Sequence, residues 1–238
     1  MIRRRWRPRL VALDVDGTLV TYADFFDPPT RQVANAVRRT LQAGVHIVLA
    51  TGRSLHSTIP VIDQLRLTEG FAVCSNGAVV ADVASRTPVH VVTFDASDPV
   101  QYFAEEIPDA VLAIEELGVG FRVTGDFPVG ELDGRVTVVT HDELLDGPVT
   151  RLVVRWPQGD RERLRRVAAA SGLPSVDYAI GYTAWLDIMP EGVSKAAGLA
   201  TVCEKLGFSR SDVMAVGDGH NDMEMLAWAG HGVAMGQA

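Results

Sequence analysis

The sequence predicts an α/β protein: a parallel sheet covered by helices on both faces, interrupted by a second, α+β domain. Three observations predict it. Short apolar runs near both ends of the chain break off in acidic or glycine turns. Helix-patterned segments stand between those runs, as a crossover between parallel strands requires. From about Asp82 the pattern changes to closely spaced strand segments, several of them alternating, and it reverts about a hundred residues later. With 238 residues the chain can build one large domain or two modest ones.

RLVALDV (9–15) is short, apolar and partly β-branched, and Asp16-Gly17 turns the chain after it. In PPTRQVANAVRRTLQAGV, Thr30 is a plausible N-cap, Val33, Val37 and Leu41 recur at helical spacing, and Gly44 is a stop. HIVLA (46–50) is a second buried strand, ending in Thr51-Gly52-Arg53. LHSTIPVIDQLRL is a helix with Pro60 near its start or at a kink, and FAVCSN (71–76) is a third strand closed by Gly77. VHVVTF, GVGFRVT, RVTVVT and TRLVVRW then read as strands, with helical candidates in DPVQYFAEEI and DRERLRRVAAAS. The first style returns near Leu186. EGVSKAAGLATVCEKLG is a helix ending at Gly207, DVMAVGD a strand running into a loop, NDMEMLAWAG a helix and HGVAM a short strand. The parallel-sheet domain therefore takes residues 1–81 and 185–238, and the insert 82–184.

The composition, 47% hydrophobic and 22% charged, is that of an ordered globular chain. A net charge of −8 and a pI near 5.2 argue against a nucleic-acid-binding surface. Against that balance the start is basic, with Arg3, Arg4, Arg5, Arg7 and Arg9, and reads most simply as a solvated end. It does not read as a signal peptide or a twin-arginine leader, because Asp14 and Asp16 break the apolar run behind it. No apolar run reaches the roughly 18 residues of a membrane span. The expectation is a cytoplasmic protein with no membrane partner. Cys74 and Cys203 make no disulfide framework and read as buried thiols.

Chemistry concentrates where strands end. Asp14 and Asp16 stand two apart at the end of a buried strand, and would point the same way if the strand continued. Carboxylates so close are costly to keep ionised unless a cation or a proton is shared, and oxygen ligands suit Mg²⁺. An Asx turn is the plainer alternative. Gly217-Asp218-Gly219-His220-Asn221-Asp222 ends another apolar strand. Ligands of open α/β sheets bind at the carboxyl ends of strands, so the two acidic loops are expected to face one crevice. An EF-hand is excluded, because the glycine required at loop position six is Leu19 in one loop and Met223 in the other. Thr51-Gly52-Arg53 offers a hydroxyl and backbone N–H groups for an anion, although taken alone it reads more readily as a plain turn. The chain has 20 arginines but only two lysines, Lys195 and Lys205. A lysine kept at 195 suits a phosphoryl oxygen or a buried carboxylate as readily as a solvated helix position, whereas Lys205 reads as solvated. No P-loop, G-x-S-x-G, G-x-G-x-x-G or zinc-like histidine spacing occurs. Of the histidines, His220 alone lies in an acidic loop, where it could touch substrate.

DVDGTLV, ATGR, SNGA, EGVSKAAGL and GDGHNDMEML, in that order, resemble the haloacid dehalogenase-like (HAD) superfamily, and within it the Cof-type phosphatases. The resemblance covers nearly the whole chain. It implies a Rossmann-like core with an α/β cap inserted between the second and third motifs, which agrees with the independent break at 82–184. It also implies that Asp14 is the nucleophile forming an aspartyl-phosphate and that Asp16 is the general acid/base. Thr51, Gly52, Lys195 and Asn221 would hold phosphate. Mg²⁺ would sit on Asp14, the Asp16 carbonyl and Asp218. Asp222 would orient Lys195 or a metal-bound water, and Arg53 would contact substrate. The role of SNG lies near the core–cap hinge or the substrate. The sequence stops at GVAMGQA, where relatives usually continue with a strand-like stretch and a helix, and its insert is compact for this cap type. The activity implied is a Mg²⁺-dependent phosphatase of a small phosphorylated metabolite, such as a sugar phosphate. A phosphomutase of the same chemistry, or a non-catalytic phosphometabolite-binding regulator, is the alternative. An insert with 17 acids against 9 bases argues weakly against polyanionic substrates.

Overall fold

The computed structural model describes residues 6–21, 27–173, 176–180 and 183–238. These form two compact units, the first running to Arg53, from Thr58 to His90 and from Ser194 on, the second taking Ser54–Ser57 and Val91–Val193.

In chain order the elements begin with β1 (Leu10–Leu13), α1 (Arg31–Gln42), β2 (His46–Ala50), α2 (Leu55–Leu65), β3 (Phe71–Cys74), β4 (Val79–Asp82) and β5 (Thr87–Val91). There follow α3 (Ser97–Glu106), β6 (Val111–Glu116), β7 (Gly120–Val123), β8 (Arg135–Val138), α4 (His141–Leu144), β9 (Leu152–Arg155), α5 (Arg161–Ala170), β10 (Val176–Ile180) and β11 (Trp185–Pro190). The chain closes with α6 (Lys195–Leu206), β12 (Val213–Gly217), α7 (Met223–Trp228) and β13 (His231–Ala234).

The first unit holds a seven-stranded sheet of order β13-β12-β1-β2-β3-β4-β5. The first five strands are parallel and β4 runs antiparallel to β3. Its inner strands are apolar throughout because both faces are covered: Ile47 to Ala50 and Ala72 to Cys74 are all buried. Leu199 and Val202 of α6 and Met225 of α7 pack on Leu10, Ala12, Val48, Val73 and Ala215. Thr30 caps α1 by accepting a bond from the Val33 amide at 3.3 Å. Cys74 and Cys203 are both buried free thiols.

The second unit holds a six-stranded sheet of order β10-β11-β9-β6-β7-β8. One face carries Leu112, Ile114, Leu152, Val154, Leu186 and Ile188 against Phe103 of α3 and Leu164 of α5. On the other, Ala113, Phe121, Val123 and Val153 pack with Phe127 and Trp185. The same face buries Arg151 between Glu115, at 3.4 Å, and Asp187, at 3.6 Å. The charges of this insert are thus partly internal ion pairs, which its acid excess does not reveal.

The unit boundaries differ from 82 and 184. Strand β5 completes the first sheet, so the second unit begins at Val91. The apolar run at 185–190, assigned above to the core, is β11, which pairs antiparallel with β9 and β10. FAVCSN also ends early as a strand, because Ser75 and Asn76 take positive φ and start a 3-10 turn. Of the basic start, Arg3, Arg4 and Arg5 lie outside the described residues. Trp6, Arg7 and Arg9 stay exposed, as a solvated start implies, while making two contacts: Trp6 Nε1 donates to the Ser211 carbonyl at 3.1 Å, and Arg9 stacks 3.9 Å from the Phe208 ring. Among the described residues no helix is long and apolar enough to cross a membrane.

Candidate active site

The chain leaves β1 for β2 and β3 on one side and returns to β12 on the other, so β1 and β12 flank the point where the strand order reverses. Asp14 follows β1, Thr51 follows β2, Ser75 follows β3 and Asp218 follows β12, all at carboxyl ends. Four neighbouring strands therefore deliver the candidate residues to one edge of the sheet.

Lys195, at the start of α6, is 2% exposed, and its Nζ donates to Asp14 Oδ1 and to Asp222 Oδ1, both at 2.6 Å. Asp222 is fully buried, and its other oxygen accepts from the Asp218 and Gly219 amides at 2.9 Å. Gly217 permits this approach, since a Cβ there would overlap the Asp222 carboxylate. Asp218 Oδ1 accepts from Thr18 Oγ1 at 3.0 Å. Burial pushes the Asp14 carboxyl up to about 7, the Lys195 charge opposing and the Asp222 charge reinforcing the rise. Burial pulls the Lys195 ammonium down, but the charges of Asp14 and Asp222 outweigh it and hold it above its ordinary value.

Asp14, Asp218 and Asp222 each place a carboxylate oxygen within 4.8 Å of the others. Three hard oxygen donors at this spacing fit a divalent cation, although both Asp222 oxygens already accept hydrogen bonds. The Asp16 carboxylate is not in this cluster. It receives Arg53, with Nε at 3.2 and 3.0 Å and Nη2 at 2.5 Å. Each of the two carboxylates has a basic partner of its own, Lys195 for Asp14 and Arg53 for Asp16, since β1 stops at Leu13 and the chain turns between them.

Thr51 is fully buried, and its Oγ1 accepts from the Arg53 amide at 3.1 Å. Asn221 is exposed and donates from Nδ2 to Asn76 Oδ1 at 3.0 Å; His220 is exposed as well. The Thr18 contact, the Asn76–Asn221 bond and the Arg53–Asp16 pair escaped the sequence reading. SNG was the available signal for Asn76, since asparagine tolerates the left-handed conformation that the turn uses.

The raised Asp14 carboxyl makes a pH prediction for the metal-free protein. Unfolded, Asp14 titrates near 3.8; folded, near 7. Between these values the folded state holds a proton that the unfolded chain has released, so the contribution of Asp14 to stability falls as pH rises through that window. Lys195 keeps its charge in both states there. Urea unfolding in EDTA should therefore lose more stability across the window in wild type than in Asp14→Asn. Parallel curves would contradict the assignment.

The haloacid dehalogenase-like hydrolase model matches residues 11–115 and 138–238. The 5-amino-6-(5-phospho-D-ribitylamino)uracil phosphatase YcsE of Bacillus subtilis is 28% identical, over 97% of this chain and 84% of its own. The HMP-PP phosphatase of Serratia proteamaculans is 30% identical, over the same shares of the two chains. Among solved structures, BT1666 from Bacteroides thetaiotaomicron, a phosphatase of the HAD superfamily, matches with a TM-score of 0.81 and 26% identity, over 100% of this chain and 87% of that one. With its motifs gathered at one sheet edge and its length matched throughout, the chain belongs to the haloacid dehalogenase-like hydrolase family, in its phosphatase branch.

Proposed function

We propose that the protein is a Mg²⁺-dependent phosphomonoesterase that hydrolyses a small phosphorylated metabolite, such as a sugar phosphate, through an aspartyl-phosphate on Asp14. The observation that carries this reading is the buried Asp14–Lys195–Asp222 array beside Asp218. It holds the Asp14 carboxylate against the Lys195 ammonium and beside oxygen donors that suit a divalent cation, which fits a reaction that needs charge neutralisation and positioning above all. The relatives named for a ribitylaminouracil phosphate and for HMP-PP support the substrate class. The net charge of −8 supports a small molecule rather than nucleic acid as the partner.

An Asp14 oxygen attacks phosphorus, the bond from phosphorus to the ester oxygen breaks, and Asp16 gives its proton to the departing alcohol. Asp16 then takes a proton from water. That water oxygen attacks phosphorus, the Asp14–phosphorus bond breaks, and phosphate leaves with Asp14 restored. Thr51 Oγ1, the Gly52 amide, Lys195 Nζ and Asn221 hold the phosphoryl oxygens. Asp222 orients Lys195, and Arg53 holds Asp16 until it exchanges its fork for the substrate. Asp14, Asp218 and the Asp16 carbonyl would hold Mg²⁺, which when bound supplies positive charge to the phosphoryl group.

Phosphate release from a panel of phosphomonoesters tests the reading. Turnover on at least one member should require Mg²⁺ and stop in EDTA. Folded, Mg²⁺-loaded protein with no turnover on any member would reject the hydrolase in favour of a phosphometabolite binder, and turnover only after adding a bisphosphate would indicate a phosphomutase.

A further inference from the structure

Resting on the phosphatase reading, we propose that Asn76 is a positioning residue that aims Asn221 at the phosphoryl group and locks three phosphate-holding segments into one register. The turn Ser75–Gly77 is buried at the carboxyl end of β3, and its three residues have φ of 49°, 54° and 109°. Three successive left-handed residues, two of them not glycine, are costly in a backbone and persist only where the surroundings over-determine them.

The surroundings here are the site. The Ser75 amide donates to the Arg53 carbonyl at 2.8 Å, and the Asn76 amide donates to the Thr51 carbonyl at 3.1 Å. Both bonds fix the turn to the segment that carries Thr51 and Gly52. The Asn76 side chain also packs on Gly52, where a Cβ would lie 3.0 Å from Asn76 Oδ1. That oxygen accepts from Asn221 Nδ2 across a separation of 145 residues. Gly77 lies against the peptide joining Ser194 to Lys195, so closely that any Cβ would overlap the Ser194 carbonyl. The segments that carry Thr51 and Gly52, Lys195 and Asn221 thus all touch one three-residue turn.

Within it the Asn76 side chain has a distinct task. Asn221 is exposed, and its amide would otherwise rotate freely about two torsions. Accepting from one edge of that amide orders it at the mouth of the site before phosphate arrives. Asparagine suits position 76 twice: its short amide reaches Asn221, and it tolerates the left-handed backbone better than other non-glycine residues.

The test is a double-mutant cycle on the full chain with Mg²⁺. Asn76→Gly keeps the left-handed backbone and removes the amide, so the fold survives; Asn221→Ala removes the aimed group; the third variant carries both. The readouts are kcat and KM for p-nitrophenyl phosphate, the dissociation constant of inorganic phosphate by calorimetry, and the thermal midpoint. Asn76→Gly should lose on the order of 10- to 100-fold in kcat/KM, as misplacement by about an ångström does, and should weaken inorganic phosphate binding. The double variant should be no worse than Asn221→Ala, because the two residues act as a unit. Asn76→Ser, which retains a shorter acceptor, should recover part of the loss.

Asn76→Gly within twofold of wild type, or effects that multiply in the double variant, would overturn the inference while leaving the phosphatase reading intact. A lowered thermal midpoint with unchanged KM, unchanged phosphate binding and no coupling to Asn221 would also overturn it, since that is the mark of a merely structural residue. Wild-type protein that neither hydrolyses the ester nor binds inorganic phosphate would overturn the phosphatase reading and this inference with it.

Discussion

Asp14→Asn should lower kcat by on the order of 10⁴- to 10⁶-fold, the scale seen when a nucleophile is removed from a concerted catalytic unit. The substitution is nearly isosteric. It removes the attacking carboxylate and leaves the 2.6 Å bond between Lys195 and Asp222 in place, so the protein should fold and still bind inorganic phosphate. The loss should appear in kcat more than in KM, because the missing interaction is made only on the way to the transition state. Steady-state kinetics beside phosphate calorimetry separates these terms. A variant that keeps a tenth of wild-type turnover would remove Asp14 from the nucleophile role.

Lys195→Met has the second-largest expected effect, and it falls on both stability and rate. The ammonium sits between two buried carboxylates, with side-chain exposures of 1% for Lys195, 6% for Asp14 and 0% for Asp222. Removing one member of a buried ion pair costs about 3–5 kcal/mol, because the partner charge is left uncompensated. Denaturant unfolding should show that loss. Adding Asp222→Asn to Lys195→Met should recover part of the stability by deleting one orphaned charge, but not the activity. Turnover should fall about 10²- to 10³-fold, the effect of losing one electrostatic donor to a transition state. Lys195→Arg should not rescue it, since the planar guanidinium cannot occupy a site built for a compact ammonium. Unchanged stability in Lys195→Met would mean that the carboxylates are neutralised by something other than Lys195.

The residues behind these predictions were legible because the chemistry is written next to strand ends. Asp14, Thr51 and Asp218 each follow an apolar run, and a parallel sheet places such ends together whatever the intervening sequence. Lys195 stood out through rarity in an arginine-rich chain, and Thr30 and Gly207 marked helix ends as capping chemistry requires. What escaped were the pairings between segments. Nothing near Asp16 announces that Arg53 will take its carboxylate, and nothing near Asn221 points to Asn76, 145 residues away. Both contacts exist only once β1, β2, β3 and β12 lie side by side.

The insert was less legible for a related reason. Its strands and those of the core share one apolar vocabulary, so WLDIMP read as a core segment although its antiparallel partners β9 and β10 place it in the second sheet. Local pattern specifies that a segment is a strand; it does not specify which sheet receives it. In the same way a count of the insert's acids does not show that Glu115 is buried against Arg151 on one sheet face.

The central claim is covalent chemistry on Asp14, and trapping the intermediate tests it most directly. Protein turning over a phosphomonoester with Mg²⁺ would be quenched with borohydride, which reduces an acyl phosphate to the alcohol, and digested for mass spectrometry. The account predicts homoserine in place of aspartate at position 14 and at no other acid, with the adduct accumulating further in Asp16→Asn when the ester is p-nitrophenyl phosphate, whose leaving group needs no proton from Asp16, as water attack slows. Sustained hydrolysis with position 14 unmodified, or with the modification on another carboxylate, would contradict it.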